Sequence, residues 1–346
     1  MNDLTQFTGA GVKQLKFLSS LTVYGVFLFG VNLGLTTAGF GSSEALYKYN
    51  GKTVNKADLS PAAQQAVYDA EKHYYQNVMK IIEGNILESY LDNEAAKQKK
   101  PRKDIENKMF SAKVDDKDAK AWYEDNKARL GGRAFESIKN EIVQFLTRQK
   151  MEEVKGEVVG KVKKEGDFSL LIAEPEAPTL DISFAGFPFK GDKNAKVTVV
   201  EFADYKCPHC KEASSMLKEV SKKYKDKIKL VFLDFPLRMG GLSTTIAHGG
   251  VCAEEQGKFW EYHYMAFESQ SSLKADSPVK FAEKLGLKVD AFKTCLAASS
   301  TKEKVEKSRA EGERIGVQGT PAIYVNGQKL SGYDAKDLEK LIKKNL

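Results

Sequence analysis

Cys207 and Cys210, with Pro208 and His209 between them, are the residues whose type and spacing can do chemistry in this chain. A thiol pair at this spacing serves thiol–disulfide exchange: one sulfur attacks or is attacked, and the other resolves the mixed disulfide that forms. Zinc sites use the same spacing, but zinc needs further ligands. The chain holds four cysteines and four histidines in all. Neither His248 with Cys252 nor His263 makes a second knuckle of the usual spacing, so no metal is expected.

The flanking residues position the pair. Val197–Phe202 (VTVVEF) is a β-branched run that reads as a buried strand, and Lys211–Tyr224 places Ala213, Met216, Leu217, Val220 and Tyr224 at helical spacing. A thiol where a strand hands over to a helix meets unpaired N–H groups and the positive end of the helix dipole, which favour thiolate. Cys207 is therefore the candidate nucleophile, and Cys210, one turn further in, the resolving thiol. His209 adds a donor or partial positive charge near the sulfur, and a pair whose reduced form is stabilised acts as an oxidant.

At 346 residues the chain is long enough for two domains and their connections. Residues 1–43 read as a targeting segment. Lys13 and Lys16 precede Phe17–Ser43, which has no charged residue, and Phe17–Leu35 is its most apolar part. An uncleaved anchor with a cytoplasmic N-terminus and a signal peptide cut near Thr36–Ala38 are both open. Either way the rest is expected to be periplasmic or otherwise extracytoplasmic, where disulfides persist. The net charge of +7 comes from lysines interleaved with glutamates on helical stretches. No phosphate loop, nucleotide fingerprint or nucleic-acid motif is present, so nucleic acid is not an expected partner.

Residues 45–173 have a different texture, rich in lysine and glutamate and free of cysteine. Leu46–Val54 has an Asn-Gly turn between short alternating runs, a hairpin signal. Ser60-Pro61 reads as a helix N-cap followed by proline at the first helical position. Val67, Tyr74, Val78, Ile82, Ile86 and Tyr90 then share one face of a long helix that stops before Pro101. Further helices are expected at Asp116–Lys127 and Phe135–Lys164, on either side of Gly131-Gly132. The stretches YNGKTVNKADL, IIEGNILESYLDNEAAKQK, DDKDAKAWYEDNKARLGG and FESIKNEIVQFLTRQK resemble the N-terminal region of SurA and parvulin-type periplasmic chaperones. The resemblance implies a surface that holds unfolded polypeptide or a partner subunit, though not prolyl isomerase activity. A spacer is the competing role.

Glu174–Pro178, with its two prolines, reads as an extended linker. Beyond it, Ile228–Phe235 reads as a strand, Leu242–Arg314 as a helical block, Ala322–Leu330 as a hairpin turning at Asn326-Gly327, and Asp337–Lys344 as a closing helix. The order matches an α/β thioredoxin fold with a helical insertion, preceded by the mostly α-helical part and the N-terminal membrane segment.

CPHC itself, Glu201 ahead of it, Gly319-Thr320-Pro321 before the last hairpin, and Cys252–His263 (CAEEQGKFWEYH) in the insertion resemble the DsbA-type branch of the thioredoxin superfamily over residues 179–346. The resemblance implies that Glu201 is a buried acid beneath the site that helps proton transfer. It implies too that the Thr320-Pro321 peptide is cis and pairs with substrate backbone beside the disulfide. It implies a redox-active Cys207–Cys210 disulfide with no other cofactor.

Cys252 and Cys295 are the leftover thiols of an exported chain, which pair most simply as a structural disulfide. A second, regulatory redox pair is the competing reading. Phe259 and Trp260 read as core or groove wall.

The function expected is an exported thiol–disulfide oxidoreductase that forms or isomerises disulfides in cysteine-containing exported proteins, recycled by a membrane redox partner. A chaperone or assembly factor with a secondary redox pair is the alternative. Oxidase, isomerase and reductase directions all stay open, as does a homodimer.

Overall fold

The computed structural model describes residues 45–346 apart from 112, 167 and the side chain of 128. The membrane segment expected at Phe17–Leu35 lies outside the described residues, among which no helix is long and apolar enough to cross a membrane.

The first part is a hairpin and four helices. β1 (Ala45–Tyr49) and β2 (Lys52–Asn55) pair antiparallel around Asn50 and Gly51, both at positive φ, as a tight hairpin turn requires. α1 (Pro61–Gln98) starts where Ser60 Oγ accepts from Ala63 N. It ends at Lys99 in the left-handed conformation, just before Pro101. Along α1, Val67, Val78, Ile82, Ile86 and Tyr90 are half-buried while Tyr74 is exposed. α2 (Arg102–Met109) is a helix that the sequence did not announce, because it carries mainly charge and a single buried apolar residue, Ile105. Arg102 ties it to Glu88 and Asp92 of α1.

α3 (Asp116–Asn126) is capped by Asp115, and α4 (Phe135–Glu165) follows the Gly131-Gly132 turn. Ala119, Tyr123, Ile138 and Ile142 form the small core between them. This part is the helical arm.

Residues 174–178 do not run free. Pro175 is buried and Glu174 is ion-paired with Lys72 of α1, so the prolines are seated against the arm.

The second part is built on a five-stranded sheet of order β3-β5-β4-β6-β7, from β3 (Phe189–Gly191), β4 (Val197–Ala203), β5 (Ile228–Asp234), β6 (Ala322–Val325) and β7 (Gln328–Lys329). β4 and β5 run parallel through α5 (Pro208–Lys223); β3 and β6 pair antiparallel with β5 and β4. β3 was missed in the sequence because three residues leave no alternation to read.

Successive residues of β4 face opposite ways. Val197 and Val199 pack with α5 and α11 (Ala335–Asn345), while Val200 and Phe202 pack with Tyr324 and Ile315 on the opposite face. The helical block resolves into α6 (Leu242–Glu255), α7 (Phe259–Glu268), α8 (Ser277–Lys284), α9 (Val289–Ala297) and α10 (Ser299–Arg314). At Asn326-Gly327 the sheet turns so close to Leu180 that a Cβ on Gly327 would sit 2.1 Å from the Leu180 carbonyl oxygen. Glycine is needed there for space as well as for its positive φ.

Candidate active site

α5 begins one residue after Cys207. Cys207 is the N-cap and Pro208 the first helical residue, where its missing N–H costs nothing, so Cys210 falls in the first turn. The helix thus starts earlier than the apolar spacing from Lys211 suggested.

Cys207 is half-buried, and its Sγ lies 3.2 Å from the carbonyl oxygen of Thr320, whose peptide bond to Pro321 is cis. Cys210 is buried completely. Its thiol is pushed well up, first by burial and then by the charge of Glu201, with Thr320 and the Asp204 backbone opposing. The asymmetry gives one reachable sulfur and one sheltered sulfur on the same helix end.

Glu201 is the β4 residue that shares a face with Val199 and Ala203, so it points into the core beneath the site. It is only 2% exposed, its Oε1 has no hydrogen-bond partner among the described residues, and burial raises its carboxyl to about 8. At neutral pH it therefore holds a proton close enough to Cys210 to be felt there.

His209 lies between the two cysteines in the first turn of α5. Its side chain is exposed, and Nδ1 is 2.7 Å from the Tyr333 hydroxyl, which also donates to Glu212 Oε2 at 3.1 Å. The ring is engaged by a side-chain network as well as by its place beside the cysteines. Ser331–Ala335 read only as a polar turn, and nothing in the sequence marked Tyr333.

Other supports were also illegible. Gln270 donates from Nε2 to the carbonyls of Cys207 at 2.8 Å and Tyr205 at 3.1 Å, holding the strand-to-helix turn from the insertion side. Asp204 accepts from Lys206 N at 2.6 Å and Leu237 N at 2.8 Å, and from Ser243 Oγ. An Asp two residues before the donating N–H is an Asx-turn signal, the one clue available. His263 is buried between the Tyr205 hydroxyl at Nδ1 (3.2 Å) and Ser214 Oγ at Nε2 (3.1 Å). Burial pushes it down to about 3, so it is a neutral polar pin between α7 and α5.

Cys252 of α6 and Cys295 of α9 form a disulfide, with Cα atoms 5.7 Å apart. Phe259 lies in the core, and Trp260 donates from Nε1 to the Phe189 carbonyl at 3.0 Å, which makes it wall. Among the described residues no group of three or more His, Cys, Asp or Glu is placed to hold a metal ion.

A thioredoxin fold with a helical insertion and a Cys-x-x-Cys at a helix N-terminus defines the class. Residues 186–344 match the thioredoxin family profile. The chain is 34% identical over 171 residues to the probable disulfide bond formation protein D of Bacillus anthracis, covering 45% of this chain and 76% of that protein. It belongs, through its C-terminal half, to this family of thioredoxin-fold disulfide bond formation proteins. Similarity extends to the Na(+)/H(+) antiporter NhaA of Herminiimonas arsenicoxydans, 26% identical over 181 residues, 52% of this chain. There the chain spans only 28% of the relative's length. The crystal structure of oxidised BdbD from Bacillus subtilis superposes with a TM-score of 0.46 at 27% identity, covering 49% of this chain and 98% of that one.

Proposed function

We propose that the chain is an exported thiol–disulfide oxidoreductase that forms or isomerises disulfides in extracytoplasmic proteins through Cys207 and Cys210. The observation that carries this reading is the pairing of a reachable Cys207 Sγ, 3.2 Å from the Thr320 carbonyl, with a buried Cys210 above the neutral Glu201. Membership in the disulfide bond formation family supports the forming direction.

In that direction the pair starts as a disulfide. A substrate thiolate attacks Cys207 Sγ, the Cys207–Cys210 bond breaks, and its electron pair leaves on Cys210. A buried thiolate is costly, so Glu201 gives Cys210 its proton. A second substrate thiolate then attacks the substrate sulfur of the mixed disulfide and releases Cys207. The substrate dithiol is oxidised, the Cys207–Cys210 pair is reduced by two electrons, and a membrane redox partner takes those electrons to restore it. In isomerisation the Cys207 thiolate attacks a wrong substrate disulfide instead, and no net electrons move. Thr320 and Pro321 present backbone beside Cys207 for substrate pairing, and the Cys252–Cys295 bond acts as a structural staple. The charge-free run at 17–35 supports export, whether as an uncleaved anchor or as a signal peptide.

A second reading, a chaperone or assembly factor with a secondary redox pair, is favoured by the exposed Tyr74, Ile81 and Phe145 on the arm. The test of the first reading is the redox equilibrium of the pair with glutathione. An equilibrium far on the oxidising side of thioredoxin is expected. A strongly reducing value would make the protein a reductase, and no reversible couple would leave the chaperone. Cys207→Ser should abolish function in the first case, and Ile81→Glu with Tyr74→Glu in the second.

A further inference from the structure

A line of side chains joins the arm to the redox pair. Arg129, in the turn between α3 and α4, donates from Nη2 to Glu212 Oε1 at 3.1 Å. The other oxygen of Glu212 accepts from the Tyr333 hydroxyl at 3.1 Å, and that hydroxyl is 2.7 Å from His209 Nδ1. A phenol has one proton. With that proton on the carboxylate side, the phenolic oxygen accepts from Nδ1–H of His209. Donation then runs from His209 to Tyr333 to Glu212, and Arg129 draws on the carboxylate from its far side. Desolvation and the Glu212 hydrogen bond hold the Tyr333 hydroxyl above the ordinary phenol range, while the charges of Arg129 and Cys207 act on it in opposite directions.

We propose that Arg129 is a positioning residue for the redox pair, acting through Glu212 and Tyr333 on His209, so that the docked arm moderates the oxidising power of Cys207–Cys210. This deepens the oxidoreductase reading and rests on it. Paired with Arg129, the Glu212 carboxylate is a weaker acceptor. Without Arg129 it draws the Tyr333 proton harder, the phenolic oxygen becomes a better acceptor, and a proton on His209 Nδ1 is held more firmly. A positive ring beside Cys207 favours thiolate and hence the reduced pair, which makes a stronger oxidant. Direct attraction between Arg129 and the Cys207 sulfur predicts the opposite sign, since removing a cation disfavours thiolate. The two mechanisms are therefore separable by direction.

Arg129 and Glu212 are 76% and 47% exposed, so the effect has the size of an exposed ion pair, about two- to fivefold in an equilibrium constant. The experiment is the glutathione redox equilibrium of the full chain for the wild type, Arg129→Gln, Arg129→Lys, Glu212→Gln, Tyr333→Phe and the Arg129→Gln/Tyr333→Phe pair. Arg129→Gln should shift the pair toward the reduced dithiol by about two- to fivefold, Arg129→Lys should stay at the wild-type value, and Glu212→Gln should shift it the other way. In the Tyr333→Phe background Arg129→Gln should change nothing. An unchanged or reversed shift in Arg129→Gln, or the same shift with and without the Tyr333 hydroxyl, overturns the proposal. A wild-type chain with no reversible couple at all is a different failure, that of the oxidoreductase reading, and the wild type alone reports it.

Discussion

The Sγ of Cys207 lies 3.2 Å from the carbonyl oxygen of Thr320, a residue 113 positions further along the chain. That approach leaves Cys207 as the sulfur a substrate can reach, because Cys210 in the next turn is fully buried. Cys207→Ser should therefore lose all exchange activity. Cys210→Ser should keep the first attack and accumulate mixed disulfides with substrate, visible as reducible adducts on gels. Adducts through Cys210 in a Cys207→Ser background would reverse the assignment.

Glu201 should set both a rate and a pH dependence. Glu201→Gln should slow the step that protonates or deprotonates Cys210 by about 10²-fold, the lower end of general acid–base effects, in rapid-mixing measurements of mixed-disulfide turnover.

The same carboxyl should tilt stability with pH. Burial raises Glu201 from 4.5 to about 8, so across that window the folded state keeps a proton that the unfolded state releases. Stability is then fully present below the unfolded value and falls as pH rises through the window, by about 1.4 kcal/mol per pH unit at most for one such group. Asp234, raised to about 7 first by burial and then by the charge of Glu254, adds a slope of the same sign. Urea midpoints of the reduced protein at about pH 5 and pH 8 should converge in Glu201→Gln relative to wild type. Parallel slopes would rule out a raised carboxyl at this position.

The Cys252–Cys295 bond should matter to stability and not to redox poise. Replacing both cysteines by alanine should cost about 2–4 kcal/mol in urea unfolding, with the Cys207–Cys210 equilibrium against glutathione unmoved. A shift in that equilibrium would make the second pair regulatory.

Two glycines should answer alanine in opposite directions. A Cβ on Gly249 in α6 would lie 2.0 Å from the Tyr262 hydroxyl oxygen and 2.8 Å from Pro278 Cβ. Tyr262 is buried and held by its bond to the Ile246 carbonyl, so Gly249→Ala should cost about 1–3 kcal/mol by overpacking. Gly84, inside α1, has nothing within 4 Å of the same position. There alanine should add up to about 1 kcal/mol through helix propensity. Thermal midpoints moving the same way in both variants would falsify this packing.

The sequence by itself determined what is local. A β-branched run, a Cys-x-x-Cys and a helical period named β4, the active-site turn and α5, because strand and helix each repeat at their own period. Asn-Gly pairs fixed both hairpin turns through the positive φ that such turns demand. The long period of α1 and the glycine break before α4 marked the arm, since the proline and glycine that punctuate it act on their own neighbours. Short β3 and charged α2 escaped because neither has enough apolar residues to show a period.

Tertiary structure decided the rest. The contacts of Thr320 with Cys207, of Gln270 with the turn, of Arg129 with Glu212 and of Tyr333 with His209 join residues 63 to 124 positions apart, brought together by sheet order and by packing of the arm. No local pattern encodes such contacts, because they depend on where whole elements come to rest. Burial is of the same kind: the family resemblance implies a buried acid at Glu201, but no local pattern does, because only packing over its face of the sheet removes the water that would keep it charged.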